Sequence, residues 1–440
     1  MATDSRSTFQ TLAAALALFA LALALSAFRG LRRDTYWFDV TVGDVIRAYE
    51  AIPAEQLFLF RLPADFPVVY PDWLSAVLFS HLHHLGGAGL SLWIVNLSLA
   101  LAFALVSLPA LRRGHSLLQT IALALTAAGA AAWLTDVQAT ALLALPAALL
   151  LLALHRLIDH PHRWWLALAA PLSVAALVNL DADLALLLTL ISLAACASQG
   201  ATKAWISALI LASAPLGLLA FAYGPSALPQ AWSGPAITTA TLLVFALALP
   251  LILPRLLERR IAPPMTTVPW FGWLAILVLL GVLAALVQPG TDTRHHIVPH
   301  VVDDLRYEPP LKSLASPELP FRCAEELRRT GRTLRIYHRP DHAGFLLYHT
   351  FRTHRPQAPL IDDHRRLQPE DIDPFHDLLV DQAGGRGLFA AQDINAALLD
   401  PRLHGPLIDE LDDAPDWYDL RPQDDDGLRC FIAVDPADGP

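Results

Sequence analysis

The sequence predicts an α-helical polytopic membrane protein with a C-terminal soluble α/β domain, on three observations. The 440 residues are 55% hydrophobic and only 16% charged, well below the charged fraction of ordinary soluble domains. Mean hydropathy is +0.44, which at this length excludes disorder and a soluble globule. Charge is also split. Residues 1–290 hold 14 Lys+Arg and 13 Asp+Glu, a net of +1, whereas residues 291–440 hold 17 and 28, a net of −11. A nearly uncharged block is followed by an acidic, water-soluble one. With pI near 5.9 and no basic stripe, no nucleic-acid partner is expected.

A helix needs about 17–25 apolar residues to cross a hydrocarbon core of ~30 Å. Such runs lie near 9–28, 89–110, 116–134, 137–155, 164–180, 183–198, 204–223, 234–254 and 269–288, about nine spans, of which the fifth and sixth are short and nearly fused. The first is long for a signal-peptide core and has a weak positive flank, so it reads as an anchor. Alternate loops carry Arg112 and Arg113, Arg156 and Arg163, Lys203, then Arg255, Arg259 and Arg260, while the short loops between them carry no Lys or Arg. The positive-inside rule therefore puts the N-terminus inside, and the 29–88 loop and the C-terminal domain outside, at the outer face of a cytoplasmic membrane. Arg29, Arg32, Arg33, Arg47 and Arg61 run against the rule in that first loop and call for an anionic partner there. Asp34, Asp39, Asp44, Asp72, Asp136, Asp181 and Asp183 gather on the same external side. Ionisable groups at membrane depth are costly, so the gathering marks an outward site. For Asp44, Asp136 and Asp159 the plainer reading, tolerated surface charge, is preferred.

In the first loop, the apolar spacing of Trp37, Val40, Val45 and Ile46 predicts a short helix lying in the membrane interface, with Tyr36 and Trp37 as belt residues. A second helix is expected to begin at Asp72 as its cap and to run through Leu74, Val77, Leu78 and Leu82 to Gly86. His81, His83 and His84 fall on it and read as solvated or headgroup histidines before metal ligands. Residues 291–314, with His295, His296, His300 and Pro309-Pro310, read as a linker. From 315 to 440, helix signals at 317–330, 369–382 and 402–412 alternate with strand signals at 333–338, 358–362, 394–399 and 429–434, the pattern of a small α/β domain. Gly384-Gly385-Arg386-Gly387 reads as a turn, because no GKS/T follows, and Asp424–Asp426 as a solvated loop. Cys196 lies in an apolar run. Cys323 and Cys430 lie in the tail and either pair, in an oxidising compartment, or stay as buried thiols.

The string from Asp34 to Gly87 resembles the first-loop signature of bacterial GT-C-type glycosyltransferase-like membrane proteins, relatives of the polyprenyl-phosphate-sugar-dependent transferases. The residues that carry it are Asp34, Trp37, Gly43, Ile52, Pro53, Trp73, Leu74, Gly86 and Gly87. Val178-Asn179-Leu180-Asp181-Ala182-Asp183 is similar to that family's Trp-x-Asn-x-His-Gly junction. Arg335-Ile336-Tyr337, Gly344-Phe345-Leu346, Pro359-Leu360-Ile361-Asp362 and Arg365 resemble its tail segments. The likeness spans nearly the whole chain through short motifs. Asp39 and Asp181 stand where the family pattern has His, Asp72 stands in place of Glu, and the spacing from Asp34 to Gly43 is one residue long.

The resemblance implies a membrane enzyme that moves a sugar from a polyprenyl-phosphate donor to a glycan, lipid or protein acceptor, with inversion. Such a reaction needs a carboxylate base on the acceptor hydroxyl and cations on the leaving phosphate. Asp34, just after the first span, is placed for the base, with Asp39 as the second catalytic candidate. Arg32, Arg33 and Arg61 would hold the phosphate bidentately. Trp37, Asp72 and Asn179 join the binding set. Asp181 and Asp183, like Asp39, could orient the acceptor or hold a divalent cation, for which no certain cofactor site is visible. The competing expectation, from the two His-to-Asp departures, is a catalytically inactive scaffold or binding protein of the same fold in envelope glycan assembly. A transporter is a weaker third reading, since no span carries a mid-membrane charge pair.

Overall fold

A computed structural model describes residues 35–55, 67–112, 139–160, 162–198, 205–228, 321–330, 332–338, 342–351, 358–359, 385–391, 393–420 and 428–434, with scattered positions in 12–23 and 240–251. Most of these residues are helical, and a five-stranded sheet lies in the C-terminal part. In chain order the helices are α1 (Thr35–Tyr49), α2 (Trp73–Arg112), α3 (Ala144–Asp159), α4 (Ala169–Leu177), α5 (Ala182–Ser198) and α6 (Trp205–Ala212). Then come α7 (Phe321–Arg329), β1 (Arg335–Tyr337), α8 (Ala343–Phe351), β2 (Ala358–Pro359), α9 (Gly385–Ala391), β3 (Ala396–Leu399), α10 (Pro401–Asp412), β4 (Trp417–Asp419) and β5 (Arg429–Ala433). The chain divides into two compact units: unit 1 is Met1–Leu31 with Leu82–Pro309, and unit 2 is Arg32–His81 with Pro310–Pro440. The segment that follows the first apolar run therefore belongs with the C-terminal domain.

Unit 1 consists, in its described residues, of helices joined by turns. The helix that begins at Trp73 breaks at Gly86 (φ −160°, ψ 27°) and Gly87 (φ 67°, ψ −170°). The Gly87 conformation is open essentially to glycine alone, so Leu-Gly-Gly ends one helix and a second starts at Ala88, where the sequence places a span. Among the described residues, Trp73–Pro109 is the one helix long and apolar enough to cross a membrane. Shorter apolar helices occupy Trp164–Leu177, Ala182–Ala197 and Trp205–Ala220. At a rise of 1.5 Å per residue these reach only about 20–25 Å. The first and third open or close in 3₁₀ turns, Trp164–Leu168 and Ala214–Ala220. The expected runs at 116–134 and 269–288 lie outside the described residues. Three hydroxyls inside this unit turn to their own helix, Ser107 to the Phe103 carbonyl (2.7 Å), Thr189 to Ala185 (2.8 Å) and Ser192 to Leu188 (2.7 Å), which satisfies them without water. Gly217 lets Ala214–Ala220 approach α4 closely: a Cβ there would meet the Ala175 nitrogen and Pro171 carbonyl at 2.8 Å.

Unit 2 is built on a sheet of order β2-β1-β3-β5-β4. β1 runs parallel to β2 and β3, with Ile336 opposite Ala396, and β5 runs antiparallel to β3 and β4, with Cys430 opposite Leu398. Tyr337, Phe389, Ile394, Leu399, Leu407, Leu411 and Phe431 form a core beside it. The strand signals at 333–338, 394–399 and 429–434 and the helix signals at 317–330 and 402–412 fall on β1, β3, β5, α7 and α10. β2 covers the start of the 358–362 signal, while 369–382 and Asp424–Asp426 lie outside the described residues. The turn expected at Gly384–Gly387 is corrected: α9 opens at Gly385, because Phe389 is drawn fully into the core and tertiary burial overrides glycine's low helix propensity. Cys323 and Cys430 pair across a Cα separation of 5.8 Å, tying α7 to β5. Closing a loop of 107 residues is worth up to about 5 kcal/mol in the chain-entropy account.

α1 is also part of unit 2. Every residue from Tyr36 to Gly43 is buried, so the helix is enclosed rather than amphipathic. The belt reading of Tyr36 and Trp37 is thereby corrected. Trp37 is 0% exposed and its ring lies 5.7 Å from Phe345 and 4.7 Å from Tyr348, both on α8. Tyr36 packs edge-on against Phe79 of α2 at 5.8 Å. Gly43 permits the crossing with α2, since a Cβ there would sit 2.2 Å from the Ala76 carbonyl oxygen. Beside it the Ser80 hydroxyl donates to Asp44 (2.7 Å) and accepts from Arg47 (2.9 Å).

Gly43→Ala should destabilise unit 2 by about 1–3 kcal/mol through overpacking against backbone, read as earlier thermal unfolding or faster limited proteolysis. Gly405→Ala, whose added Cβ meets open space, should change the same readouts little.

Candidate functional site

The chain leaves β1 towards β2 on one side and then returns to β3 on the other, so the carboxyl ends of β1 and β3 form a switch point. In open α/β sheets such crevices are where ligands and reacting groups collect. His338 follows β1 and Asp400 follows β3. His342 stands just before α8, and His404 lies in α10, where the helix bends (φ −120°). His338, His342 and His404 are 0%, 3% and 2% exposed. The Tyr337 Oη lies 3.3 Å from His404 Nε2, and His404 Nδ1 lies 3.3 Å from the Asp400 backbone nitrogen and 3.2 Å from its carbonyl. Burial pushes the Tyr337 phenol up to about 12, so it stays a neutral hydroxyl beside the imidazole. The sequence reading met Tyr337 in a resembling tail segment and did not single out His338, His342 or His404. Its signal was positional, a short apolar strand ending in His-Arg-Pro and another ending in Asp-Pro. α8 runs from this edge and carries Phe345 and Tyr348 against Trp37. Two of the resembling motifs, Trp37 in the first loop and Gly344-Phe345-Leu346 in the tail, are thus in ring contact.

The residues expected from the sequence distribute unevenly. Asp34, Arg32, Arg33 and Arg61 lie outside the described residues. In unit 2, Asp39 sits one position beyond Phe38 on α1 and is 6% exposed. Asp72 precedes α2, its carbonyl accepting the Ala76 N–H at 2.9 Å, as a cap residue should. Asn179, Asp181 and Asp183 belong to unit 1 and meet at the α4–α5 junction. Asp181 Oδ1 accepts the Leu184 N–H (2.8 Å) and Oδ2 accepts the Thr140 hydroxyl (2.5 Å). Asn179 Oδ1 accepts the Ala222 N–H and its Nδ2 donates to the Ala220 carbonyl, both at 2.8 Å. Asp183 stands buried in the first turn of α5, where a carboxylate suits the helix dipole. Asp181 is therefore a helix cap and Asn179 a clamp on backbone, and together they hold the joint.

Both Asp181 oxygens are committed, and no group of three or more His, Cys, Asp or Glu that could hold an ion occurs among the described residues. The residues in view do not fit the divalent cation that the Asp181/Asp183 pair suggested, and no step below passes through one. Comparison with family models, curated proteins and solved structures returns no match.

Asp181→Ala should cost about 1–2 kcal/mol, the value of a lost cap, whereas Asp181→Asn keeps an accepting oxygen and should cost less; thermal unfolding of the two variants checks the order. Tyr337 sets a pH limit. Its folded value of about 12 exceeds the unfolded value near 10, so its contribution is intact below pH ~10 and is lost as pH rises towards 12, by about 2–3 kcal/mol. Tyr337→Phe should flatten that decline in alkaline unfolding curves.

Proposed function

We propose that the chain is a polytopic membrane glycosyltransferase-like protein of GT-C type, with unit 1 in the inner membrane and unit 2 on its outer face. The observation that carries the reading is the seat of Trp37 against Phe345 and Tyr348. It joins two motifs about 300 residues apart that resemble one family, and it makes the segment bearing Asp34 part of the C-terminal unit.

Three further features support the membrane placement. Among the described residues, the large hydrophobic side chains left exposed lie in unit 1, save Tyr49, Leu78 and Tyr418; so broad an apolar surface suits lipid. The Cys323–Cys430 disulfide suits an oxidising, external compartment. Residues 32–81 and 310–440 fold together, so on this reading an even number of crossings separates them. The eight spans read after the first satisfy that parity.

In the mechanism, Asp34 takes the proton from the acceptor hydroxyl, the acceptor oxygen bonds to the anomeric carbon, and the bond from that carbon to the phosphate oxygen breaks. Arg32, Arg33 and Arg61 hold the departing phosphate as its charge grows. Asp39 orients the acceptor or shares the base role, and Asp72 and Trp37 shape the surroundings. The acceptor is a glycan, lipid or protein. A second reading, a catalytically silent scaffold of the same fold, is favoured by Asp181, which stands where the family pattern has His and is spent as a helix cap.

The test is sugar transfer from a polyprenyl-phosphate-linked donor by the purified, reconstituted chain. Asp34→Asn should lower turnover by about 10²–10⁴-fold, as expected for a lost general base. Undiminished turnover in that variant overturns the base assignment. No transfer by wild type across a panel of donors, with the cellular phenotype surviving Asp34→Asn and Asp39→Asn, selects the scaffold.

A further inference from the structure

One end of unit 1 carries a surface that neither packing nor the proposed transfer uses. α3 ends at Asp159, and the chain turns through His160–Arg163 into the 3₁₀ segment Trp164–Leu168. The turn is tight: the His160 N–H donates to the Arg156 carbonyl (2.9 Å) and the Arg163 N–H to the His160 carbonyl (3.0 Å). Trp164 and Trp165 are 47% and 57% exposed. α6 packs against Trp164–Leu168 and begins at Trp205, itself 65% exposed. Arg156 and Arg163 are exposed on the same turn, beside the His160 and His162 rings, 5.8 Å apart. The one carboxylate of this turn, Asp159, lies 3.6 Å from His155 Nε2. Leu168 and Leu172, 41% and 67% exposed, continue the surface as purely apolar side chains.

Indoles between cations and bare leucines match the graded polarity of a bilayer surface: phosphate outermost, the glycerol level next, acyl chains beneath. Water would leave three indoles wastefully hydrated, and a protein partner would need to bury the arginines. We propose that this turn binds anionic phospholipid headgroups. The Arg156 and Arg163 guanidinium groups take the phosphate, Trp164, Trp165 and Trp205 lie at the glycerol level, and Leu168 and Leu172 meet the chains. The proposal rests on the reading of unit 1 as embedded in a membrane, and is independent of catalysis.

The experiment uses the full chain in phosphatidylcholine nanodiscs or mild detergent, titrated with phosphatidylglycerol, with bound lipid counted by native mass spectrometry. Wild type should prefer phosphatidylglycerol over phosphatidylcholine. A surface arginine contributes about fivefold in affinity for anionic lipid, so Arg156→Gln/Arg163→Gln should weaken phosphatidylglycerol binding about thirtyfold and leave phosphatidylcholine unchanged. Arg156→Lys/Arg163→Lys should retain most of the preference. Arg259→Gln/Arg260→Gln removes equal charge elsewhere and should change little. Equal affinity of wild type for the two lipids, or an equal loss in the Arg259/Arg260 control, overturns the proposal. Alkaline carbonate extraction keeps the two readings apart: release of the chain from membranes defeats the embedding itself, whereas retention without lipid preference defeats this site alone.

Discussion

The enclosure of Trp37 by Phe345 and Tyr348 is the contact on which the rest of the organisation depends. An indole at the start of the chain and two rings near its end can meet only if everything between them leaves and comes back. That condition makes unit 2 discontinuous in sequence. It turns α1 from a surface helix into a core element, and it explains why helix α1 has no exposed face between Tyr36 and Gly43. Gly43 and the Asp44–Ser80–Arg47 chain then lock α1 to the start of α2, and the disulfide locks α7 to the sheet.

Unit 1 solves a different problem. Beyond α2 its described helices are short, two begin or end in 3₁₀ turns, and close approach relies on small residues such as Gly217. With little to gain from polar surface contacts, such a bundle needs its joints fixed by the few polar side chains it has. Asp181 and Asn179 do this at the α4–α5 junction, and Ser98 does it between α2 and the start of α3, accepting from the Leu145 N–H (3.2 Å) and donating to the Leu142 carbonyl just before it (2.7 Å). A carboxylate that reads as chemistry in a linear motif is, in three dimensions, architecture.

Much of the secondary structure was legible because it rests on period and composition. The Leu-Gly-Gly break, the Asp72 start of α2 and strands β1, β3 and β5 each follow from local rules. The interface assignment of α1 failed because apolar spacing reports burial without naming what does the burying, and lipid and protein look alike to Trp37. The Gly384–Gly387 turn failed because a core position for Phe389 outweighed local propensity. The histidines beside β1 and β3 were invisible because a switch point is a property of strand order, which no window of sequence contains. The roles proposed for Asp34 and for Arg32, Arg33 and Arg61 rest on sequence pattern alone.

A discontinuous unit also has a timetable. Residue 81 is made about 230 residues before residue 310, an interval of about 10–50 s at ordinary rates of synthesis of ~5–20 residues per second. Throughout it, Tyr36, Trp37 and Phe38 have no α8 to close over them, and the α1 segment waits as a sticky, unfinished half. Cys323 and Cys430 arrive only afterwards, so oxidation seals the unit last. The order of manufacture leaves the rings of the early segment uncovered until α8 is made, and the disulfide can close only once Cys430 has followed.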